Sequence, residues 1–259
     1  MPKFGIFSWF GFVMSLSKRI ELIKNAGFDS TSLWWEDEEG SPSIKKNEMP
    51  KIVRDSGLIL ENIHVPFNDS NNLWSETASA RDKIVKQHVT WLEDCAKFDI
   101  PIMVMHIMEG NMTPELNKYG IESMLYLTKK AEEYKVKIAA ENTKLVGGIH
   151  FILSEIQSDH LGFCYDSSHA RLQGEEALLK DFDRRLIAVH LSDNDGQKDR
   201  HWLPGNGVIK WSEFSNSFPK HYYSGNLTLE VCPTDEERKA GAKQFLLKAF
   251  KSLSSLANF

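Results

Sequence analysis

The sequence predicts an α/β protein folded as a (β/α)8 (TIM) barrel, with residues 1–259 forming a single domain. Short, nearly continuous apolar runs alternate with amphipathic stretches eight times along the chain, as is typical of parallel strands covered by helices. Eight such units in 259 residues fit a closed barrel better than an open sheet. No linker, low-complexity tract or change of composition divides the chain.

The eight strands are predicted from short apolar runs bounded by turn residues. They cover residues 4–9, 31–35, 59–65, 102–107, 137–141, 161–165, 186–191 and 227–231. The helices are predicted from amphipathic stretches between the strands, two of them closed by Gly27 and Gly57. They cover residues 16–26, 44–56, 77–98, 114–134, 149–157, 175–184, 211–217 and 235–256.

Composition and sequence patterns predict the cellular location of the protein and its classes of partner. The chain is 41% hydrophobic, and no apolar stretch reaches the ~18–20 residues that a membrane span needs. The three cysteines are far apart and form no Cys-x-x-Cys pair, and no signal-peptide pattern precedes the first strand. These features predict a cytoplasmic protein without a membrane partner. The net charge of −5 argues mildly against a protein whose main task is to bind phosphate backbones.

Ionisable residues stand at the carboxyl ends of six consecutive predicted strands, the rim where barrels of this kind carry their catalytic groups. From strand three to strand eight they are His64, His106, Glu141, Asp166, His190 and Glu230. Three more residues fall in adjoining predicted loops, namely His169, Asp199 and His201. The last two belong to the segment 190–207, whose Asp, Asn, Gly and Pro content predicts a loop.

Each of these residues alone has a structural explanation as good as a functional one. A carboxylate in an apolar strand can pair with a lysine or arginine, and a histidine can be a satisfied core residue. Together, residues of this kind at six corresponding positions predict a compensating cation. Imidazole and carboxylate ligands suit Zn, Mn, Co or Fe, and the lack of thiolates disfavours a structural zinc. We therefore predict a divalent-metal centre, with Zn or Mn as the ion.

Four parts of the sequence resemble the xylose isomerase-like TIM-barrel superfamily. They are 140–143 (Ala-Glu-Asn-Thr), 165–170 (Tyr-Asp-Ser-Ser-His-Ala), 199–201 (Asp-Arg-His) with 204–207 (Pro-Gly-Asn-Gly), and 229–231 (Leu-Glu-Val). This superfamily includes sugar and sugar-phosphate isomerases and epimerases of the D-tagatose 3-epimerase type, inosose dehydratase-like proteins, and AP endonucleases of the endonuclease IV family (AP endonuclease family 2). The resemblance covers essentially the whole chain.

The resemblance implies two different ligand sets. The epimerase pattern implies one divalent metal, with His169 near the substrate and four ligands, Glu141, Asp166, His190 and Glu230. The endonuclease IV pattern implies a cluster of three zinc ions and adds five ligands, His64, His106, His169, Asp199 and His201. All nine positions are occupied, but isomerase-like members of the superfamily also keep most of them.

The loops favour a sugar over DNA. The segment 34–40, Trp-Trp-Glu-Asp-Glu-Glu-Gly, places four acidic residues at the rim, where a duplex would meet repulsion in place of counterion release. Trp9 and Trp34 resemble the aromatic walls of sugar pockets, although barrel packing is a comparable explanation for each. Arg200 is a candidate contact for a substrate phosphate, and surface solubility explains it equally well.

We therefore predict a divalent-metal-dependent sugar or sugar-phosphate isomerase or epimerase. In this hypothesis Glu141 and Glu230 are the two bases that remove and return a proton alpha to a ketose carbonyl, through a metal-stabilised enediolate. The alternative is an endonuclease IV-type AP endonuclease that cleaves phosphodiesters at a trinuclear zinc site. A non-catalytic sugar-binding protein is a third hypothesis. A small sugar is the predicted partner and nucleic acid is disfavoured; the identity of the sugar and homo-oligomer formation stay open.

Overall fold

The computed structural model describes residues 3–39, 42–110 and 114–256, and within them strands and helices alternate along the chain. The strands are β1 (Phe4–Phe7), β2 (Ser30–Trp34), β3 (Ile59–His64), β4 (Ile102–His106), β5 (Lys137–Glu141), β6 (Leu161–Asp166), β7 (Leu186–His190) and β8 (Leu227–Leu229). The helices are α1 (Leu16–Asn25), α2 (Met49–Asp55), α3 (Ala78–Lys97), α4 (Lys118–Tyr134), α5 (Gly148–Glu155), α6 (Ser167–Gln173), α7 (Leu178–Asp181), α8 (Trp211–Ser217), α9 (Asp235–Ala240) and α10 (Ala242–Leu256). Gly40 of the predicted acidic loop lies outside the described residues.

The eight strands close into a barrel. They pair in parallel in the order β7-β6-β5-β4-β3-β2-β1-β8, and a parallel bridge between Leu191 and Leu229 spans the remaining gap between β7 and β8. There the amide of Leu191 donates to the carbonyl of Thr228 at 2.8 Å, and the amide of Glu230 donates to the carbonyl of Leu191 at 3.2 Å. The predicted (β/α)8 barrel is confirmed.

Small side chains form an apolar cluster of their own, separate from the main core. The cluster contains one residue from each of β4 to β7, namely Val104, Ala139, Cys164 and Ala188. Their neighbours along the strands, such as Met105 and Ile138, belong to the main core. Because successive side chains of a strand point to opposite faces, this division separates the barrel interior from the layer between strands and helices.

A carboxylate that the sequence interpretation did not single out lies near the amino-terminal ends of the strands. Glu61 of β3 accepts hydrogen bonds from Ser30 at 3.2 Å, Ser32 at 3.0 Å and Asn226 at 2.5 Å, and also from the hydroxyl of Thr228. These donors satisfy the carboxylate at little cost, and they join β2, β3 and the start of β8 at the end opposite the predicted site.

Three predicted helices differ from the observed ones for local reasons. Residue Ile44, predicted as helical, pairs with Glu38 in an antiparallel bridge, and a 3-10 helix over Lys46–Glu48 precedes α2. The predicted helix 114–134 begins only at Lys118, because the side chain of Asn117 caps it by accepting from the amides of Tyr119 and Gly120. The predicted helix 175–184 is reduced to α7 and a 3-10 turn.

Two further differences lie close to the ends of strands and helices. Residues 167–173, predicted as loop, form α6, because Asp166 accepts from the amide of His169 at 2.7 Å and caps the helix. The predicted helix 235–256 is divided into α9 and α10 at Gly241, whose φ of +91° is incompatible with a continuous helix. Among the described residues, no helix combines the length and the apolarity needed to cross a membrane.

We predict that His88 makes the fold sensitive to mild acid. This residue of α3 is 1% exposed and its ring packs edge-on against Trp91, so burial lowers its pKa to about 4. Because the folded-state pKa lies below the unfolded value, stability is lost as the pH falls below about 6.5. Urea unfolding should show a loss of about 2 kcal/mol between pH 7 and pH 5 that is missing in His88→Phe.

The control for this experiment is His221→Gln, which changes an exposed histidine and should keep the wild-type dependence on pH. Equal losses of unfolding free energy in wild type and His88→Phe would show that His88 is not the group responsible.

Candidate active site at the rim of the barrel

The alternation of side chains along four strands positions the centre of the site. Each strand-end residue stands two positions after a small interior residue, and side chains two apart share a face. The pairs are Val104 with His106, Ala139 with Glu141, Cys164 with Asp166, and Ala188 with His190. Strand pairing places His106 beside Glu141 and Asp166 beside His190. The predicted positions therefore meet above the interior of the barrel, at its carboxyl rim.

Four of the predicted residues form the middle of the site. Glu141, Asp166, His190 and Glu230 each offer a ligand atom, and these atoms all lie within 4.8 Å of one another. Nδ1 of His190 is 3.3 Å from Oε1 of Glu141 and 3.0 Å from Oε2 of Glu230. The side chain of Glu230 is 20% exposed, whereas that of Glu141 is 1% exposed. Glu230 is therefore the carboxylate that opens to solvent.

Unpaired polar atoms in this group test whether the residues fit a metal ion. Oδ2 of Asp166 and both ring nitrogens of His190 are buried without an aligned hydrogen-bond partner. Buried polar atoms left without a partner cost about 1–3 kcal/mol each, and the great majority in proteins are satisfied. A divalent cation would satisfy them, and imidazole with carboxylates is a suitable donor set for one. The residues present fit the ion.

Charges within the group compensate one another. Burial opposes ionisation of Glu141, but the imidazoles of His190 and His64 outweigh burial and hold its pKa well below the usual range. Burial raises the pKa of Asp166 to about 6, helped by the neighbouring carboxylates and opposed by the imidazole of His169. Burial would lower the pKa of His169, yet the carboxylates of Asp166 and Asp199 reverse this and raise it to about 10. Protons on the imidazoles and a divalent cation can each supply the positive charge that compensates these carboxylates, so they compete for the site.

A second group meets at the other oxygen of Glu141. Nε2 of His64 lies 3.0 Å and Nε2 of His106 lies 3.6 Å from Oε2 of Glu141, and the donor atoms of these three residues also lie within 4.8 Å of one another. Nδ1 of His64 is 3.0 Å from the carbonyl of Val65, and Nδ1 of His106 is 2.8 Å from Oε2 of Glu109. Both rings therefore turn Nε2 towards Glu141.

The third group is built around Asp199. Its Oδ2 lies 3.1 Å from Nε2 of His169 and 3.0 Å from Nε2 of His201, while Oδ1 accepts from the hydroxyl of Ser168 at 2.7 Å. Among the described residues, however, the sets whose donor atoms all lie within 4.8 Å include Glu141 and do not include Asp199. This group is therefore more open than the other two.

Aromatic rings line the histidine side of the site. Trp34 stacks on His64 with ring centroids 5.3 Å apart, and Phe67 stacks on His106 at 4.2 Å. Phe7 meets the rings of His64 and His190 edge-on at 6.3 and 6.4 Å. Trp34 thus borders the site, and its contact with a substrate stays a prediction. Phe7, which lies inside the predicted first strand, and Phe67, two residues beyond the predicted third strand, were not among the predicted site residues.

Two predicted substrate contacts have other partners. The ring of Trp9 is 42% exposed and faces the guanidinium of Arg19 at 5.3 Å. Nε of Arg200 donates to Oδ2 of Asp195 at 2.8 Å. Both side chains lie in loops that follow strands of the rim, but neither contact is with the carboxylates of the centre.

The acidic loop is less negative than its sequence implies. Asp37 pairs with Lys45 at 2.8 Å, Glu38 pairs with Arg19, and Glu36 accepts from the indole of Trp34 at 2.6 Å. Two of the four carboxylates are therefore neutralised by cations distant in sequence. The repulsion of DNA inferred from the sequence is correspondingly reduced.

Asn142 and Cys164, which the sequence interpretation did not assign to the site, lie against its residues. Asn142 joins β5 to β6: its side chain accepts from the amide of Asp166 at 2.8 Å and donates to the carbonyl of Asp166 at 3.0 Å. The sulfur of Cys164 lies within 4.8 Å of ligand atoms of Glu141 and His190. Burial raises the pKa of its thiol to about 12, so it stays protonated and acts as a small apolar side chain.

The fold and this cluster define a (β/α)8 barrel with a carboxylate–imidazole centre at its carboxyl rim. The chain belongs to the xylose isomerase-like TIM barrel family, whose model matches residues 20–249, and the resemblance found in the sequence is thereby confirmed. An uncharacterized protein of Methanocaldococcus jannaschii is 27% identical over 251 residues, covering 88% of this chain and 83% of that protein. An uncharacterized protein of Sinorhizobium fredii is 25% identical over 251 residues, covering 82% and 79%.

Solved structures of sugar epimerases share the fold. D-psicose 3-epimerase from Clostridium cellulolyticum H10 superposes with a TM-score of 0.79 at 17% identity, covering 99% of this chain and 98% of that chain. The 3-keto-D-glucoside 4-epimerase of E. coli superposes with a TM-score of 0.76 at 17% identity, covering 100% of both chains. At these identities the likeness establishes the architecture alone.

We predict that a divalent ion stabilises this protein. At about 100 times its dissociation constant, a ligand specific for the folded state adds about 2.7 kcal/mol, which corresponds to a rise in Tm of about 5–10 °C for a chain of this size. Thermal unfolding of chelator-treated protein with added Mn2+ or Co2+ should show this rise. Asp166→Asn should abolish most of it, because it removes a buried ligand.

The matched control is Glu176→Gln, which removes a carboxylate from a surface pair with Arg171 and should leave the metal-induced rise in Tm unchanged. A Tm that is indifferent to both metals, or one that rises equally in Asp166→Asn, would contradict the assignment of these ligands.

Proposed function

We propose that this protein is a divalent-metal-dependent sugar isomerase or epimerase that moves a proton at the carbon next to a ketose carbonyl. The observation that carries the proposal is the convergence of four donor groups at the carboxyl rim of the barrel, Glu141, Asp166, His190 and Glu230. The epimerases that share the fold add support, since their substrates include D-psicose, 3-keto-D-glucosides and L-ribulose. Sugars of this class carry the carbonyl and the adjacent hydroxyl that the reaction needs.

The four residues would hold the ion, which when bound would polarise the carbonyl and hydroxyl oxygens of a ketose. Glu230 and Glu141 are not equivalent as bases. One oxygen of Glu230 faces His190 and its side chain is 20% exposed, so Glu230 can reach the substrate and remove the proton. Both oxygens of Glu141 face imidazoles. These imidazoles would supply the proton that Glu141 returns to the opposite face of the substrate.

Replacing Glu230 should separate binding of the sugar from proton transfer. In Glu230→Gln at saturating metal, we expect exchange of the alpha proton with heavy water to fall by about 10²–10⁴-fold, the usual contribution of a positioned general base. Proton NMR of D-psicose, D-tagatose, D-fructose and L-ribulose in heavy water measures the exchange directly.

Glu213→Gln is the control, because Glu213 lies on the surface in a pair with Lys210. Metal content is measured on every variant, so that a lost ion is not mistaken for a lost base. Wild-type exchange by metal-loaded Glu230→Gln would rule out Glu230 as the base.

A second candidate function is cleavage of phosphodiesters at abasic sites in DNA. The observation that favours it is that His64 and His106 both face Oε2 of Glu141, since a carboxylate shared in this way can bridge two ions, as in two-metal nucleases. The pairing of Asp37 and Glu38 with cations also weakens the charge argument against DNA. The open Asp199 group speaks against a compact cluster of three ions.

A double variant, His64→Ala with His201→Ala, distinguishes the two functions. For an isomerase we expect a higher KM, because these side chains would contact substrate hydroxyls, and one tightly held metal per chain by elemental analysis. For a nuclease we expect zinc-loaded wild type to incise an abasic duplex, and the double variant to drop from three ions to one and lose cleavage. The second pattern would replace the isomerase proposal.

A further inference from the structure

A cavity lies at the amino-terminal ends of the strands, on the side of the barrel opposite the rim. Its volume is about 380 Å³, which is within the range of sites for small molecules. The first residues of three strands line it, namely Ile59, Ile102 and Lys137, together with residues 222–226, which precede β8. Ala188, one of the small interior residues, also lines it, so the cavity extends from this face into the barrel.

One buried group that lines this cavity has no partner within the described chain. Asn62 of β3 is 3% exposed, and Oδ1 of its side-chain amide is buried without a hydrogen-bond donor. Buried polar atoms are nearly always satisfied, because leaving one unpaired costs free energy. The adjacent carboxylate of Glu61 cannot supply the missing donor, since it only accepts, and four other side chains already donate to it. A molecule in the cavity that carries a hydroxyl would satisfy the amide.

Two cations line the cavity near its opening. Arg184 donates to the hydroxyl of Tyr222 at 3.3 Å, and its guanidinium lies 4.7 Å from the centroid of the Tyr222 ring. Lys137 is exposed at the start of β5. Neither cation pairs with a carboxylate of the described chain. Because Tyr222 already orients the guanidinium, an anion could bind Arg184 with little loss of side-chain freedom.

We propose that this cavity binds a small hydroxylated anion, that is, a phosphate or carboxylate on a carbon chain with hydroxyl groups. The anionic group would lie against Arg184 and Lys137, since guanidinium and ammonium groups form charge-assisted hydrogen bonds with phosphate and carboxylate oxygens. A hydroxyl of the chain would donate to Oδ1 of Asn62. The site is separate from the carboxylates and imidazoles of the rim, so the inference goes beyond the proposed function and does not depend on it.

Calorimetric titration of the purified protein, before and after removal of metal by a chelator, tests the proposal. D-sorbitol 6-phosphate and D-gluconate distinguish a phosphate from a carboxylate, and neither has the ketose carbonyl of the proposed substrates. D-sorbitol and inorganic phosphate each supply only half of the chemistry. We expect one or both anionic polyols to bind at least about tenfold more tightly than either half, because joining two binding groups raises affinity. Chelation should leave this affinity unchanged.

Substitutions locate the binding site. Arg184→Gln should weaken binding by about tenfold, the effect of losing one charge-assisted hydrogen bond, and Asn62→Leu by about fivefold, the effect of losing a neutral one. Lys135→Gln is the matched control, because it removes an exposed cation two residues before Lys137 that does not line the cavity. It should change the affinity by less than about twofold, since exposed charges interact weakly at a distance.

The proposal is supported if binding is weakened in Arg184→Gln but persists in Asp166→Asn and after chelation. Binding that is unaffected by Arg184→Gln and Asn62→Leu, but is lost in Asp166→Asn or on chelation, would place the ligand at the rim and overturn the proposal. Failure of both anionic polyols to bind at millimolar concentration would also overturn it. Equal affinity for inorganic phosphate alone would do the same, because the cavity would then contribute nothing.

Discussion

The site depends on one buried carboxylate, Glu141, on which four imidazoles converge. Its Oε1 faces Nδ1 of His190 at 3.3 Å and of His169 at 3.6 Å, and its Oε2 faces His64 at 3.0 Å and His106 at 3.6 Å. A lone carboxylate that is 1% exposed would give up its charge. Here protonated imidazoles or a bound cation on either side keep Glu141 ionised. Each imidazole in turn has this carboxylate as its partner at the centre of the rim.

The barrel has space for this convergence because the side chains in its interior are small. The residues beneath the rim carboxylates and imidazoles are small, and hydroxyl groups lie at the other end of the barrel around Glu61. Gly5 is also required by this close packing, because a Cβ there would come within 2.5 Å of the hydroxyl of Thr228. Large groups are therefore confined to the rim, where loops can bring further polar groups such as Asp199 and His201.

The rim residues could be predicted from the sequence because their pattern is local. A polar residue that ends an apolar strand, two positions after a small one, needs no knowledge of distant partners, and the barrel topology aligns all such ends. Features that depend on long-range pairing were not accessible: the pair of Arg19 with Glu38, the four donors around Glu61, and the contact of Glu109 with His106. The start of α6 was missed because Asp166 acts both as a strand end and as a helix cap.

Glu141 and Glu230 differ in their contacts and in their exposure, and the proposed reaction would therefore use them differently. Glu141 has both oxygens engaged and is closed to solvent, so protonating it requires breaking contacts with imidazoles on both sides. Glu230 has one oxygen against His190 and a fifth of its side chain exposed, and its pKa of about 2 results from burial being outweighed by that imidazole. A divalent cation bound by His190 would take the place of the imidazolium as the positive charge beside Glu230, because a coordinated ring gives up its second proton. Glu230 would then stay ionised, since a nearby positive charge keeps the pKa of a carboxylate low, and its exposed part could accept a proton where a substrate arrives.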